Sequence, residues 1–313
     1  MLTISESAPF VSLATTKGAE EDLPVTHHSS VYPTIDPAVC FENKTYKGKV
    51  VFITGASRGI GRETALHYAL AGAIVAIASR QQDTLDDAKL AIVSSAPDAK
   101  VLTFPVDVRD ADQVQAAVDA TVAECGKLDI LIANAAAVTT FTKSMLEKDA
   151  AQWWNTFEVN VRGVYNCLRA ALPHLDATKG YAVVLTSVAA NIRIPLASDY
   201  CTTKHALGRL VEYVLISIWG YVPEFPEVKT FALAPGVILT QIATETEVDL
   251  GWNDSVALPA ATMLYLTAGN ADWLSGRYVS ANWDLGEVER DWKDKVMKTG
   301  ALVNKLSIPR SLD

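Results

Sequence analysis

Short, continuous runs of apolar residues alternate with longer segments of helical periodicity from about residue 49 onward. The apolar runs cover residues 49–54, 73–78, 101–106, 128–133, 181–186 and 228–233, and 276–280 forms a last candidate strand. Strands that are apolar on both faces are typical of a parallel sheet buried between helices. With right-handed crossovers, the pattern predicts an α/β fold with a single Rossmann-type, doubly wound parallel sheet flanked by helices.

Two of the segments between these runs carry long apolar stripes at helical spacing. One stripe consists of Trp153, Phe157, Val161, Val164, Leu168 and Leu172, and the other of Leu207, Leu210, Val211, Val214 and Ile218. Each stripe is broad enough for a helix–helix interface between subunits, but packing of the helix into its own core explains the stripe equally well.

The ends of the chain have a different texture. Residues 1–46 mix Ser, Thr, Pro and acidic residues without a sustained period, which predicts an irregular N-terminal arm draped over the domain. Residues 47–285 form one domain in this interpretation. Residues 286–313 form a partly helical tail. Its apolar side chains are expected to pack over the mouth of the site or against a partner subunit: Trp292, Val296, Leu302 and Leu306.

The composition limits the classes of function. Half of the 313 residues are hydrophobic, and 27 basic against 36 acidic residues give a net charge of -9, which argues against a nucleic-acid partner. The four cysteines form no C-x-x-C pair and no zinc-ligand spacing, so we expect no metal site and a reducing compartment. With neither a secretory signal pattern nor an apolar run long enough for a membrane span, the sequence predicts a cytoplasmic protein that has no membrane partner.

A glycine-rich turn joins the first predicted strand to the first helix. Gly55, Gly59 and Gly61 have the spacing G-x-x-x-G-x-G, which differs from the G-x-G-x-x-G dinucleotide fingerprint. Glycines let the main chain approach a ligand, and a helix N-terminus offers free N–H groups to a phosphate. Three glycines alone would suit a structural turn, but the strand before them and the helix after them favour a dinucleotide site.

The end of the second predicted strand indicates which dinucleotide is bound. Ser79 stands where a carboxylate would accept bonds from a ribose diol, Arg80 follows it, and Arg58 lies in the glycine turn. Guanidinium groups suit a 2′-phosphate, so the pattern favours NADP(H), although both arginines would also suit a solvated surface. Asp107, after the third strand, is placed either to meet the adenine amino group or to cap the next helix.

Tyr200 and Lys204 lie four residues apart at the start of a helical stretch and therefore share one face. A phenol with a pKa of about 10 is poorly ionised near neutrality, and a nearby ammonium stabilises the phenolate. The pair is thus a candidate acid/base for a carbinol oxygen. Ser187 ends the fifth strand, where its hydroxyl would hold that oxygen. Asn160 lies in mid-helix, where it would either hold a water linked to Lys204 or make a polar packing contact.

The order and spacing of these motifs resemble those of the classical short-chain dehydrogenase/reductases, in the NADP(H)-preferring branch. The resemblance covers about residues 47–285 and rests on the glycine turn, Asp107, Asn134-Ala-Ala, Asn160, Ser187, Tyr200-x-x-x-Lys204 and Pro235-Gly236. It implies hydride transfer at a nicotinamide, with Tyr200 as the acid/base. Lys204 would lower the pKa of Tyr200 and bind the nicotinamide ribose, Ser187 would orient the substrate, and Asn160 would complete a proton relay.

The resemblance also implies a set of cofactor-binding residues and an oligomer. Ile60 would meet the pyrophosphate through its backbone, and Ile238 and Thr240 would engage the carboxamide. The full set is Gly55, Ser57, Arg58, Gly59, Ile60, Gly61, Ser79, Arg80, Asp107, Val108, Asn134, Tyr200, Lys204, Pro235, Gly236, Ile238 and Thr240. Homodimers or homotetramers are implied. The family's Asn-Asn-Ala-Gly after the fourth strand reads Ala133-Asn-Ala-Ala136 here, which removes one hydrogen bond and stiffens the turn.

Apolar residues predict the substrate class. If the resemblance holds, residues 240–271 form a substrate lid. The lid and two other edges supply Ile242, Val248, Leu250, Trp252, Val138, Phe141, Met145, Ile192, Ile194 and Leu196. We expect a lipophilic ketone or secondary alcohol, although the same residues would suit a core. The apolar character of the pocket is the only basis for expecting a role in secondary metabolism. The alternatives are a catalytically idle NADP(H)-binding sensor or scaffold, and a dehydratase or epimerase on the same platform.

Overall fold

The computed structural model describes residues 8–215 and 224–306; Ile218 of the second predicted stripe lies outside them. In this part of the chain, seven parallel strands form one sheet in the order β3-β2-β1-β4-β5-β6-β7. The strands are β1 Val50–Thr54, β2 Ile74–Ser79, β3 Val101–Pro105, β4 Ile130–Ala133, β5 Tyr181–Leu185, β6 Lys229–Ala234 and β7 Arg277–Ser280. The predicted fold class is confirmed, and each strand lies within two residues of a predicted run.

Helices cover both faces of the sheet. They are α1 Ala38–Glu42, α2 Gly59–Leu70, α3 Gln82–Ser95, α4 Ala111–Cys125, α5 Ala150–Phe157, α6 Gly163–Thr178, α7 Ser198–Leu215, α8 Gln241–Thr244, α9 Ala257–Tyr265, α10 Leu285–Glu287 and α11 Lys293–Thr299. A π-helical turn, Glu158–Arg162, joins α5 to α6. None of the described helices is long and apolar enough to cross a membrane.

Alternate strand residues divide the interior into two apolar layers. Val51 and Ile53 of β1 face a layer that includes residues of α2, α3 and α9, whereas Val50 and Phe52 face a layer that includes residues of α4, α6 and α7. All four side chains are buried, as expected for a central strand of a parallel sheet.

The predicted lid is too long at its C-terminal end. Helix α9 packs against α2, and Leu258, Ala260 and Met263 are fully buried. A helix that is apolar on all sides belongs in a core, not over a site. The segment that covers the site is therefore confined to residues 240–256, which we call the lid.

Tyr32, Ile35 and Tyr46 of the N-terminal arm are buried against the domain. Tyr32 Oη donates to Trp283 O at 2.7 Å, and Tyr46 Oη donates to Leu264 O at 2.6 Å. Hydroxyl groups that are buried need such partners, so these bonds fix the arm at defined positions.

Up to residue 306, the last one described, the tail lies along a sheet edge and not over the site. Tyr278 N of β7 donates to Leu302 O at 2.8 Å, and Asn304 N donates to Glu212 Oε1 of α7 at 2.8 Å. Val296 is buried and Leu306 is 86% exposed, and packing of Leu306 against a partner subunit stays a prediction.

Candidate active site

The site lies where the order of the strands reverses, between β1 and β4, at the carboxyl ends of the strands. A cavity of about 440 Å³ runs from there past β2 to α7. Of the predicted cofactor residues, it is lined by Gly55, Ser57, Arg58, Gly59, Ile60, Ser79, Arg80, Asp107, Val108, Asn134, Tyr200, Lys204, Pro235 and Thr240. Gly236 and Ile238 line an adjoining cavity instead, and Gly61 lies behind the wall.

The glycine turn is packed too tightly for side chains at two of its positions. Gly55 has φ of +66°, and a Cβ on Gly61 would lie 2.5 Å from Gly55 O. The close fit brings the first turn of α2 to the cavity. Arg58 precedes that turn without forming a side-chain cap, so the N–H groups of the turn remain available to a phosphate.

Asn134 supports this turn from β4. Its Nδ2 donates to Thr54 O at 2.9 Å and Gly55 O at 3.1 Å. In return, Thr54 Oγ1 accepts from Asn134 N and Ala135 N, at 3.1 and 3.2 Å. Asn134 lines the cavity, but its side-chain amide is used to join the ends of β1 and β4.

The end of β2 offers donors without internal partners. Ser79 Oγ is buried and has no hydrogen-bond partner among the described residues, and Arg80 and Arg58 are exposed on the cavity wall. A buried hydroxyl without a partner costs free energy unless a ligand supplies one. These groups therefore fit the ribose and phosphate of a dinucleotide.

Asp107 is held by a residue that the sequence did not predict. Arg109 Nη2 lies 2.6 Å from Asp107 Oδ2, and Arg109 Nη1 donates to Asn155 Oδ1 at 2.8 Å. The hydrogen bonds from Arg109 hold the pKa of the Asp107 carboxyl below its usual range. The next helix, α4, is capped by Asp110 and not by Asp107, so the capping alternative was wrong.

Tyr200 and Lys204 share one face of α7, as predicted. Lys204 Nζ lies 5.5 Å from the centroid of the Tyr200 ring and donates to Leu185 O, at the end of β5, at 2.7 Å. Lys204 is only 2% exposed, whereas Tyr200 is half-buried and lines both cavities.

Burial controls the ionisation of this pair. It raises the pKa of the Tyr200 phenol to about 12, and a hydrogen bond with the Ser187 side chain acts in the opposite direction. It lowers the pKa of Lys204 to about 7, because a desolvated ammonium is costly. In the ligand-free protein, Tyr200 therefore carries its proton at neutral pH and is in the form that donates to a carbonyl oxygen.

Ser187 stands at the end of β5, beside Tyr200. Its Oγ accepts from Ala189 N at 3.1 Å, which fixes the side chain at the start of the following turn. Ser187 lines the adjoining cavity, which has a volume of about 90 Å³ and a mainly apolar wall: Leu13, Val138, Phe141, Ile194, Ile242, Leu250 and Trp252.

Four residues expected in this apolar wall are not part of it. Met145 and Leu196 are 69% and 43% exposed, and Ile192 and Val248 are buried behind the wall. Leu196 has φ of +62°, a conformation that turns the chain at this point. The apolar pattern alone did not distinguish a surface turn from a pocket edge.

Asn160 lies in the π-helical turn and is fully buried. Its Oδ1 accepts from Ala137 N at 2.7 Å, and its Nδ2 donates to Ala137 O at 2.9 Å and Thr203 Oγ1 at 3.0 Å. The side chain joins the loop after β4 to the helix that carries Tyr200, and a water-mediated link to Lys204 stays a prediction.

A buried ion pair next to Tyr200 was not predicted. Lys148 Nζ lies 2.6 Å from Asp199 Oδ1, and both side chains are almost fully buried. Asp199 Oδ2 also accepts from Thr139 Oγ1 at 2.8 Å and Thr156 Oγ1 at 3.0 Å. The network ties the loop after β4 and helix α5 to the start of α7. The one feature of the sequence that could have indicated this pair is the position of Asp199 directly before Tyr200.

Metal chemistry has no candidate centre in residues 8–215 and 224–306. No group of three or more His, Cys, Asp or Glu side chains there is arranged to hold an ion. The functional groups of the site are instead a phenol, an ammonium, a hydroxyl and the donors around the nucleotide-sized cavity.

Known proteins with similar sequences and structures identify the family of this chain. The short chain dehydrogenase family model matches residues 49–250. The fold and site are those of an oxidoreductase that uses an NAD(P)(H) cofactor and a small-molecule substrate. The chain belongs to the short-chain dehydrogenase/reductase family.

Similar proteins come from several sources. Short chain dehydrogenase citE of Monascus ruber is 36% identical over 89% of this chain and 94% of its own length. The 11-beta-hydroxysteroid dehydrogenase-like 3 of Arabidopsis thaliana is 36% identical over 65% of this chain and 63% of its own. Among solved structures, levodione reductase superposes with a TM-score of 0.68 at 25% identity, covering 79% of this chain and all of that one. An alcohol dehydrogenase of Thermococcus sibiricus complexed with 5-hydroxy-NADP has a TM-score of 0.64 at 28% identity, covering 74% and 95%.

The lowered pKa of Lys204 predicts a pH dependence of stability. Between pH 7 and 10.5 the unfolded chain binds a proton at Lys204 that the ligand-free folded protein does not, so its stability rises with pH, by at most roughly 1.4 kcal/mol per pH unit. Urea unfolding at pH 7 to 9.5 should show a steeper rise for the wild type than for Lys204→Met. The exposed-site variant Lys143→Met should follow the wild type. Equal slopes in all three proteins would contradict the prediction.

Breaking the buried ion pair should destabilise the fold. Burial opposes ionisation of Asp199, but bonds from Lys148, Thr139 and Thr156 outweigh it and hold the pKa of the carboxyl below 3.8. The contribution is thus present above pH 3.8 and is lost as the pH falls through the folded pKa. At neutral pH, Asp199→Asn should lower the free energy of unfolding by about 3–5 kcal/mol, since it leaves the Lys148 charge buried.

Urea unfolding at pH 7 measures this loss, with the exposed Asp87→Asn as the matched control. The double variant Asp199→Asn with Lys148→Met removes the unpaired charge and should recover part of the stability. An Asp199→Asn protein as stable as the Asp87→Asn control would show that the pair does not stabilise the fold.

Proposed function

We propose that this protein is an NADP(H)-dependent oxidoreductase that interconverts a lipophilic ketone and a secondary alcohol, with a role in secondary metabolism. The observation that carries the proposal is the position of Tyr200 in the wall shared by the nucleotide-sized cavity and the small apolar one. A proton donor at that boundary reaches a carbonyl group that enters from the apolar side.

The residues of the site divide the reaction between them. Held by Gly55, Ser79 and Lys204 of the larger cavity, a nicotinamide cofactor would supply a hydride to the carbonyl carbon in reduction, or accept one from the carbinol carbon in oxidation. In reduction, the Tyr200 phenol donates its proton to the carbonyl oxygen, which Ser187 holds by its hydroxyl. The phenolate that remains is stabilised by the Lys204 ammonium, since opposite charges in a desolvated site attract strongly. In oxidation, Tyr200 takes the proton from the alcohol in its phenolate form and becomes the neutral phenol.

Asn160 acts in this scheme through other residues. Because it bonds to both Ala137 and Thr203, it keeps the loop after β4 and helix α7 at a fixed separation. We assign its part in the proton relay to this positioning of the turn that carries Tyr200. π-Helical turns such as the one around Asn160 occur often at functional sites.

Charge favours NADP(H) over NAD(H). Arg58 and Arg80 lie on the cavity wall beside Ser79, which offers no carboxylate to repel a 2′-phosphate. The similar Thermococcus sibiricus structure contains 5-hydroxy-NADP. The name of the Arabidopsis thaliana relative, a hydroxysteroid dehydrogenase-like protein, accords with a lipophilic alcohol.

We also propose an oligomeric state and a cellular compartment for the enzyme. Trp154 and Tyr165 are exposed on α5 and α6 and offer apolar area for a homodimer or homotetramer. We place the protein in the cytoplasm, where its four free cysteines remain reduced.

Turnover should depend on Tyr200. With a panel of ketones, aldehydes and quinones, the wild type should consume NADPH, and Tyr200→Phe should lower kcat by roughly 10²- to 10⁴-fold because the proton donor is lost. Loss of absorbance of the reduced nicotinamide measures the rate, with the exposed Tyr213→Phe as the matched control. Binding of NADPH without reduction of any carbonyl would favour the idle-sensor alternative. Turnover that survives Tyr200→Phe would overturn the assignment of the acid.

Cofactor preference should depend on the arginines of the cavity. Arg80→Ala should weaken NADPH binding roughly 10- to 100-fold and leave NADH binding nearly unchanged, because one charge-assisted bond to the 2′-phosphate is lost. Fluorescence titration with each reduced cofactor measures the two affinities. Arg62→Ala, on the exposed side of α2 and outside the cavity, is the control. Equal weakening for both cofactors would argue against recognition of the 2′-phosphate.

A further inference from the structure

The start of the N-terminal arm is bonded to the lid. We call residues 9–21 the strap. Val11 N donates to Asp249 O at 2.8 Å, and Asp249 N donates to Pro9 O at 3.0 Å, which makes a short parallel bridge at Phe10. Two backbone hydrogen bonds thus join the strap to the lid, although Val11 and Asp249 lie 238 positions apart in the chain.

The other end of the strap is bonded to the loop that follows Ser187. Arg193 N donates to Lys17 O at 2.8 Å. Gly18 has φ of +99°, and a Cβ there would lie 2.6 Å from Asn191 O, so the strap docks in a place that admits only glycine. Glu21 adds an exposed ion pair with Arg193 at 2.9 Å, which contributes little by itself.

Between these two anchors, the strap forms part of the substrate pocket. Leu13 lines the apolar cavity together with Ser187 and Tyr200. Val11 and Ala19 pack in the same apolar cluster, to which the Tyr200 ring also belongs. The family model begins at residue 49, so this wall of the pocket comes from outside the matched region.

We propose that Leu13 is a specificity-determining residue, and that the strap sets the size of the apolar group that the enzyme accepts next to the reacting carbonyl. The inference rests on the proposed function and adds the substrate feature that is recognised. Leu13 occupies space that a bulkier ketone needs, and its contact with a small ketone excludes water from Tyr200. A cavity of only about 90 Å³ under the strap suits a compact apolar group.

The test compares Leu13→Ala with Phe10→Ala, a matched change on the same strap. Phe10 is 66% exposed and does not line the cavity. We expect Leu13→Ala to shift the ratio of kcat/KM for a bulky ketone (a 3-ketosteroid) to that for a small one (cyclohexanone) roughly 10- to 100-fold in favour of the bulky one. Binding of NADPH should change less than twofold in both variants. Phe10→Ala should keep the wild-type ratio. An unchanged ratio in Leu13→Ala would overturn the proposal.

A second measurement does not depend on turnover. The full-length Gly18→Val variant should undock the strap, because the added side chain collides with Asn191 and the backbone conformation disfavours it. With NADPH bound, Nile red fluorescence should rise in Gly18→Val relative to the wild type as the apolar pocket opens. Equal dye binding in the two proteins would show that the strap does not cover the pocket. If the dye responds but no ketone is reduced by the wild type, the proposed function fails and the covering role of the strap stands.

Discussion

The contact between the carboxyl ends of β1 and β4 is the constraint on which the site depends. The strand order reverses there, so the chain leaves β1 and β4 in opposite directions and a crevice remains between the two loops. Thr54 and Asn134 hold the crevice at a fixed width through four hydrogen bonds that involve their backbone and side chains. Gly55 and Gly61 both lie against this junction, since a Cβ on Gly55 would come within 2.9 Å of Ala135 and one on Gly61 within 2.7 Å of Asn134 Nδ2. A wider junction would displace the N-terminus of α2 together with the loop that leads to Ala137.

The two buried lysines near the start of α7 have different kinds of hydrogen-bond partner. Lys148 has a carboxylate partner in Asp199, so its field is largely cancelled and it acts as a clamp. Lys204 donates to the carbonyl of Leu185, a partner without net charge. The charge of its ammonium is therefore not cancelled by this partner, and it lies 5.5 Å from the ring centroid of Tyr200. The free-energy cost of desolvating the ammonium lowers the pKa of Lys204.

The sequence pattern was sufficient for the sheet, because each strand is a local apolar run and crossovers have a fixed hand. It was sufficient to bring Ser187, Tyr200 and Lys204 to one place, since strand ends and helix spacing are also local. Contacts between distant segments were not accessible in this way. The Lys148–Asp199 pair spans 51 residues, and Leu13 reaches a lid that is far away in the chain. Helix α9 was mistaken for lid because apolar composition does not show which side an element covers.

The tail hinders the addition of a further strand to the sheet at its β7 edge. An edge strand presents unpaired backbone donors and acceptors, to which a strand of another molecule can add. Because the backbone N–H of Tyr278 is already bonded to Leu302, the tail acts as a built-in blocker of sheet extension at this edge. Two copies of the chain that joined their sheets there would first have to release the tail, and with it the bonds between Asn304 and α7. Proteolysis after α11 would therefore expose the edge of β7 to pairing with a strand of another molecule.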